Sequence, residues 1–107
     1  MAFTFTDENV KEIIATGKPV MIDFWATWCG PCQAMGPVVD KLASEYPESE
    51  IVIGKYNTDE QNDFCIENRV MGIPAFLFFK DGKPAFRLAG LQKEDTLREK
   101  IEELLKN

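Results

Sequence analysis

Histidine is absent from this 107-residue chain, and that gap removes a great deal of chemistry. Cys-His and Ser-His nucleophile systems cannot be built, nor can zinc sites that use imidazole. The only serines, Ser44 and Ser49, lie among Asp and Glu with no base nearby. Cysteine is scarce as well: three residues, an odd count and too sparse for a disulfide scaffold of this size. Positive charge is in short supply, 12 Lys and Arg against 18 Asp and Glu. The resulting net charge of −6 leaves no basic surface to neutralise phosphates, so nucleic acid is not expected as a ligand. No stretch approaches about 18 consecutive apolar residues, so no transmembrane helix and no membrane association are expected. The first residues, from Met1 to Asp7, lack the cationic and apolar regions of an export signal. A reducing cytoplasm is therefore the expected compartment. Whatever chemistry exists must run on thiols, carboxylates and backbone.

What is present organises itself as one unit, without repeats or linkers. With 45% apolar residues, the chain can build a core unaided. Phe3–Phe5 reads as a short strand, after which Thr6 or Asp7 is placed to cap a helix with Val10, Ile13 and Ile14 on one face. Gly17-Lys18-Pro19 ends that helix. The nearly continuous apolar run Val20–Trp25 predicts a central strand covered on both faces. From Pro31, the residues Met35, Val38, Val39, Leu42, Ala43 and Tyr46 recur at helical spacing, with Pro37 expected to kink the helix and Pro47 to end it. Ile51–Asn57 reads as a strand and Gln61–Asn68 as a short helix. Ala75–Lys80 and Pro84–Ala89 bracket Asp81-Gly82-Lys83 as a hairpin, with Gly supplying the positive φ. A last helix follows from Glu94 or Asp95, burying Leu97, Ile101, Leu104 and Leu105. The order βαβαβαββα predicts an α/β fold: a mixed sheet of about five strands flanked by about four helices.

The pair Cys29 and Cys32 falls where the Val20–Trp25 strand has ended and the next helix begins. A thiol there faces unpaired backbone N–H groups and the positive end of the helix dipole, both of which favour the thiolate. Pro31 suits the first turn, where its missing N–H would have had no partner. Cys32, one turn on, is close enough to Cys29 for a small disulfide ring. Closing so short a loop constrains the unfolded chain little, which favours chemistry over stapling. A metal site built from Cys29, Cys32 and Cys65 would lack a fourth Cys or His, and Cys65 lies on a separate helix.

Trp28-Cys29-Gly30-Pro31-Cys32 at the end of a βα unit resembles the active site of the thioredoxin family, and the likeness runs through essentially the whole chain. Asp23-Phe24-Trp25-Ala26, Pro37, Lys55-Tyr56-Asn57-Thr58-Asp59, Gly72-Ile73-Pro74, Lys80-Asp81-Gly82 and Ala89-Gly90 carry it further. The resemblance implies the thioredoxin fold in a single domain over residues 1–107 and the function of a protein disulfide reductant, monomeric, with no bound cofactor. Cys29 would be the attacking thiolate and the more exposed sulfur; Cys32 would be the more buried, resolving thiol. The active-site dipeptide Gly30-Pro31 resembles that of reductants, whereas relatives that oxidise or isomerise disulfides usually carry other residues there. The resemblance further implies recharging by a thioredoxin reductase drawing on NADPH. Its substrates would be disulfide-containing proteins such as ribonucleotide reductase, peroxiredoxins and methionine sulfoxide reductases. An oxidant or isomerase on the same fold, or a redox-independent interaction module, is the alternative.

The supporting residues follow from the same likeness. Asp23, a carboxylate inside an apolar strand, is expected to have a raised pKa and to accept the proton of Cys32, with Lys55 on the adjacent strand as its ion-pair partner and control. Pro74 resembles the family's cis-proline, leaving the backbone of Ile73 free to pair with an extended substrate. Trp28, Gly30, Met71, Gly72, Ile73 and Gly90 are expected to form an apolar rim around Cys29. Trp25 is open between core and site, with core favoured. Cys65 is expected to act as a small buried hydrophobe. Thr27 and Gln33 depart from the family, which frequently has an acidic and a basic residue at these places.

Overall fold

The computed structural model describes residues 2–106. Nine elements follow the predicted order: β1 Phe3–Phe5, α1 Val10–Ala15, β2 Val20–Trp25, α2 Gly30–Glu45, β3 Val52–Asn57, α3 Asp63–Glu67, β4 Ala75–Lys80, β5 Lys83–Ala89 and α4 Glu94–Leu105. The five strands form one sheet in the order β1-β3-β2-β4-β5. β1, β2 and β3 run parallel, while β4 is antiparallel to both β2 and β5. β2 therefore lies at the centre, and its first five residues are buried on both faces, as its apolar run predicts.

Alternation along the strands sends side chains into two cores. Val20, Ile22 and Phe24 of β2 meet Ala75, Leu77 and Phe79 of β4 on the face covered by Val10 and Ile14 of α1 and Phe64 of α3. Met21 of β2 and Phe76 and Phe78 of β4 point the other way, onto Met35, Val39 and Leu42 of α2 and Leu97, Ile101 and Leu104 of α4. Each fully buried side chain of this size contributes about 1.5–3 kcal/mol. Asp23 lies between Met21 and Trp25 on β2, so the pleat aims it, like Met21, at α2. Lys55, its register partner on β3, shares that side of the sheet. Gly54, between Ile53 and Lys55, makes room for β1: a Cβ there would stand 2.5 Å from the carbonyl oxygen of Phe3 and 2.6 Å from the Phe5 ring.

Two local details differ from the sequence reading. The hairpin turn is Asp81-Gly82 alone, with both residues at positive φ (56° and 78°), and Lys83 already belongs to β5. That is the two-residue turn whose twist matches paired strands. Thr6 does cap the turn leading into α1: its Oγ1 accepts the backbone N–H of Asn9 at 3.1 Å, and Asn9 Oδ1 accepts that of Thr6 at 2.9 Å. Asp7 caps a different helix. Its carboxylate accepts the N–H groups of Asn62, Asp63 and Phe64 at the start of α3 and the Tyr56 hydroxyl at 2.6 Å. The Tyr56 oxygen also accepts the N–H of Cys65 at 3.2 Å, so one carboxylate and one phenol fasten α3 to the sheet.

Burial works to raise the Asp7 pKa, but these hydrogen bonds together outweigh it and lower it from 3.8 to about 2. A depressed carboxylate pKa stabilises the fold above the unfolded value, and that stabilisation is lost as pH falls from about 4 through about 2. Asp7→Ala is expected to destabilise the protein by about 1–3 kcal/mol at pH 7, since it removes a cap and strands the Tyr56 hydroxyl. Urea unfolding at pH 7 and pH 2 checks this: the gap between parent and variant should shrink at the lower pH.

Candidate active site

Topology brings the predicted site to one edge of the sheet. β2 and β3 end there. β4, running the opposite way, begins there, and β5 ends beside it, with Phe24 opposite Ala75 and Ala75 opposite Ala89. Residues 26–29 after β2, 58–59 after β3, 71–74 before β4 and Gly90 after β5 are thereby neighbours. The connections after the parallel strands β2 and β3 leave to helices on opposite faces, α2 and α3, and it is at such a divergence beyond the strands' carboxyl ends that sheets of this kind place their sites.

Cys29 is the N-cap of α2, and its Sγ accepts the backbone N–H of Cys32 at 3.2 Å. Cys29 and Cys32 are joined as a disulfide with Cα atoms 5.2 Å apart. Pro31 stands in the first turn, where its ring costs no hydrogen bond, and α2 continues through Pro37 as one helix. In this oxidised state both cysteines are buried, 5% and 3% exposed, so the expected contrast between an open and a closed sulfur is not seen. Their surroundings separate them instead. Cys29 Sγ lies 3.9 Å from the carbonyl oxygen of Ile73, on the side of the 71–74 loop. Cys32 lines a cavity of about 130 Å³ together with Asp23, Trp25, Gln33, Gly36 and Lys55.

Asp23 is 1% exposed, and its Oδ1 has no hydrogen-bond partner among the described residues. Desolvation raises its pKa, the positive charge of Lys55 opposes that, and the negative charge of Asp40 adds to it; together they push Asp23 up to about 7. The expected ion pair with Lys55 is not formed. Lys55 Nζ sits 3.2 Å from both carboxylate oxygens of Asp40 on α2. An ammonium that is a quarter exposed keeps part of its hydration beside a half-exposed Asp40, and would surrender it beside Asp23.

The peptide between Ile73 and Pro74 is cis. Trp28 and Met71 are 73% and 94% exposed, and with Gly72 and Ile73 they line a groove of about 300 Å³. Gly30 is exposed at the start of α2. Gly90, at φ 80°, lies on the other flank of the loop: its N–H donates to the Pro74 carbonyl at 2.8 Å, beside a second hollow of about 380 Å³. Trp25 belongs to neither main core; it packs on Ala26, Cys29 and Cys32 and lines the Asp23 cavity. Cys65 is half-buried at the rim of the first core, and burial together with the Asp7 charge raises its thiol pKa. Among the described residues no group of three His, Cys, Asp or Glu side chains gathers to hold a metal.

Sequence alone assigns no role to Asp59 or Asp40. The Asp59 carboxylate accepts the Thr27 N–H at 3.0 Å, the Thr27 hydroxyl at 2.8 Å and the Trp28 indole N–H at 3.0 Å, pinning the exposed tryptophan beside the dithiol. These bonds hold its pKa below the ordinary carboxylate value. Gln33 donates to the Thr27 carbonyl at 3.1 Å, so the two departures from the family pattern touch each other. The available signals were positional: Asp59 follows a strand parallel to the one before Cys29, and Cys32, Gly36 and Asp40 fall on one helical stripe.

A dithiol on a helix N-terminus, at the open edge of a mixed sheet, with a buried carboxyl behind one sulfur, defines a thiol–disulfide redox protein. Comparison with known proteins agrees. The thioredoxin family model matches residues 1–103. The chain is 36% identical over 102 residues to the thioredoxin of Alicyclobacillus acidocaldarius, covering 95% of this chain and 96% of that one. Among solved structures, a point mutant of thioredoxin from Halobacterium salinarum is similar at a TM-score of 0.89 and 30% identity, over 99% of this chain and 92% of that one. A chain solved in work on the thiol-resolving mechanism of yeast mitochondrial 1-Cys peroxiredoxin through the glutathione and thioredoxin systems is similar at a TM-score of 0.85 and 31% identity, over 96% and 95% of the two chains. The protein belongs to the thioredoxin family, and it is a disulfide reductant working by dithiol–disulfide exchange at Cys29 and Cys32.

Proposed function

We propose that the chain is a general protein disulfide reductant in which Cys29 attacks and Cys32 resolves. The Cys29 thiolate displaces one sulfur of a substrate disulfide and forms a mixed disulfide. Cys32 then loses its proton to Asp23 through the shared cavity, attacks Cys29 Sγ and expels the second substrate sulfur. Two electrons pass to the substrate, and the Cys29–Cys32 disulfide remains. The observation that carries this order is the cap: the Cys32 N–H and the start of α2 stabilise negative charge on Cys29, while the carboxyl that takes a proton stands behind Cys32. An extended substrate would lie along Ile73 and Pro74 between Trp28 and Met71, with Gly30, Gly72 and Gly90 leaving its backbone room to approach.

The reductant direction is supported by Gly30-Pro31 and by the absence of a histidine beside the thiols. In this reading a thioredoxin reductase using NADPH recharges the chain, a peroxiredoxin is among its substrates, and it works as a cytoplasmic monomer. Equilibration with glutathione or dithiothreitol buffers tests the direction. The expected potential is about −270 mV, the general figure for thioredoxins. A potential between about −180 and −120 mV would mark an oxidant or isomerase and overturn the direction.

A further inference from the structure

We propose that Asp40 is a positioning residue of the dithiol site: by holding the Lys55 ammonium between its two carboxylate oxygens, it keeps that charge off Asp23 and leaves Asp23 free to receive the Cys32 proton. The inference rests on the reading of Asp23 as proton acceptor. It starts from a competition that the sheet itself sets up. Asp23 and Lys55 are register partners on adjacent strands and line one cavity, so nothing in the backbone prevents them from closing as an ion pair. A closed pair would hold Asp23 ionised and spend its basicity on Lys55.

The third member decides the outcome. Cys32, Gly36 and Asp40 recur at i, i+4 and i+8 along α2, so the helix lays a thiol, a gap and a carboxylate in a row over Asp23 and Lys55. Gly36 lies beside the ammonium: a Cβ there would stand in ordinary contact with Lys55 Nζ at 3.7 Å. Lys55 Nζ is 3.2 Å from each Asp40 oxygen, and Asp23 Oδ1 is left without a partner among the described residues. The charges that act on Asp23 are Lys55 on β3 and Asp40 on α2, and the titratable Cys32 of α2 lines the same cavity; the register partner of Asp23 on β4, Phe76, carries no charge. Asp40 thus acts twice in one direction, by withholding Lys55 and by its own negative charge.

Titration of the Asp23 carboxyl by carbon-13 NMR in the oxidised protein separates the two contributions. Asp40→Asn is expected to lower the Asp23 midpoint by about one pH unit or more, the effect of an opposite charge coming within about 4–6 Å. Asp40→Glu should restore most of it, which a loss of helix packing would not. In a Lys55→Gln background, Asp40→Asn should move the midpoint by less than half as much. An unchanged midpoint in Asp40→Asn overturns the proposal, and so does an equal shift with and without Lys55, because Asp40 would then act by its own charge alone. Asp40 is about half exposed, so these variants should fold as the parent does. Decay of the mixed disulfide, followed in parallel, reports on Asp23 itself: a midpoint that moves while the decay rate does not would keep the clamp and remove Asp23 from proton transfer.

Discussion

Replacing Cys32 by serine is expected to leave a protein that attacks a disulfide but cannot let go of it. Cys29 keeps its place as N-cap and keeps the Cys32 backbone N–H as a donor, since that bond belongs to the main chain. The first displacement therefore survives. The second loses its nucleophile. An intramolecular thiol held in position acts at an effective concentration of about 10⁵ M or more in favourable cases. Millimolar thiol from solution cannot replace it, and turnover should fall by more than about a thousandfold. Mass spectrometry after incubation with a disulfide-bonded protein should find the substrate attached through Cys29. The Cys29→Ser variant should form no such adduct. An adduct on Cys29→Ser and none on Cys32→Ser would reverse the two roles.

Asp23→Asn is expected to do two opposite things: stabilise the fold and slow the chemistry. The Asp23 pKa rises from 3.8 to about 7 in the folded state, first because burial strips the carboxylate of water. This is the reverse of the usual salt-bridged carboxylate, so the sign reverses too. Between about pH 4 and pH 7 the unfolded chain has released this proton while the folded chain still holds it. Stability therefore falls as pH rises through that window, and the cost is complete above about pH 7. At about 1.4 kcal/mol per pH unit the full cost is about 4 kcal/mol. Asparagine carries no charge to desolvate but leaves an amide to satisfy, so the gain at pH 8 should be about 2–4 kcal/mol, shrinking to nearly nothing by pH 4. Urea unfolding at the two pH values checks it. In the same variant, resolution of the mixed disulfide near pH 7 should slow by about a hundredfold, the lower end of what a positioned general base supplies. Equal stability of parent and variant at pH 8 would mean that Asp23 carries no buried charge.

Both expectations start from residues visible in the sequence, yet they depend on contacts that are not. The element order was legible because each cue is local: a fully apolar run for β2, helical spacing in α2 and α4, Gly82 in the turn. Thr6 as a cap was legible for the same reason, its partner being Asn9, three residues away. The two reactive thiols were legible from four consecutive residues at the start of a helix. Asp7 was misplaced because its partners lie beyond residue 55, and no local pattern distinguishes a carboxylate that caps its own helix from one that caps another. Trp25 and Trp28, three residues apart, divide into a half-buried wall of the Asp23 cavity and an exposed ring held by Asp59.

By itself, then, the sequence determined the chemistry of this protein. Without histidine, and with a Cys-Gly-Pro-Cys turn entering a helix, electrons move through sulfur, because thiolate stabilisation by a helix N-terminus needs only neighbouring residues. The tertiary structure decided which carboxylate controls which charge. Lys55 stands beside Asp23 in register but pairs with Asp40, since a partly exposed ammonium keeps its water on the side of α2 and would lose it in the cavity. That choice is made by the packing of a helix against a sheet, between residues that no sequence spacing connects.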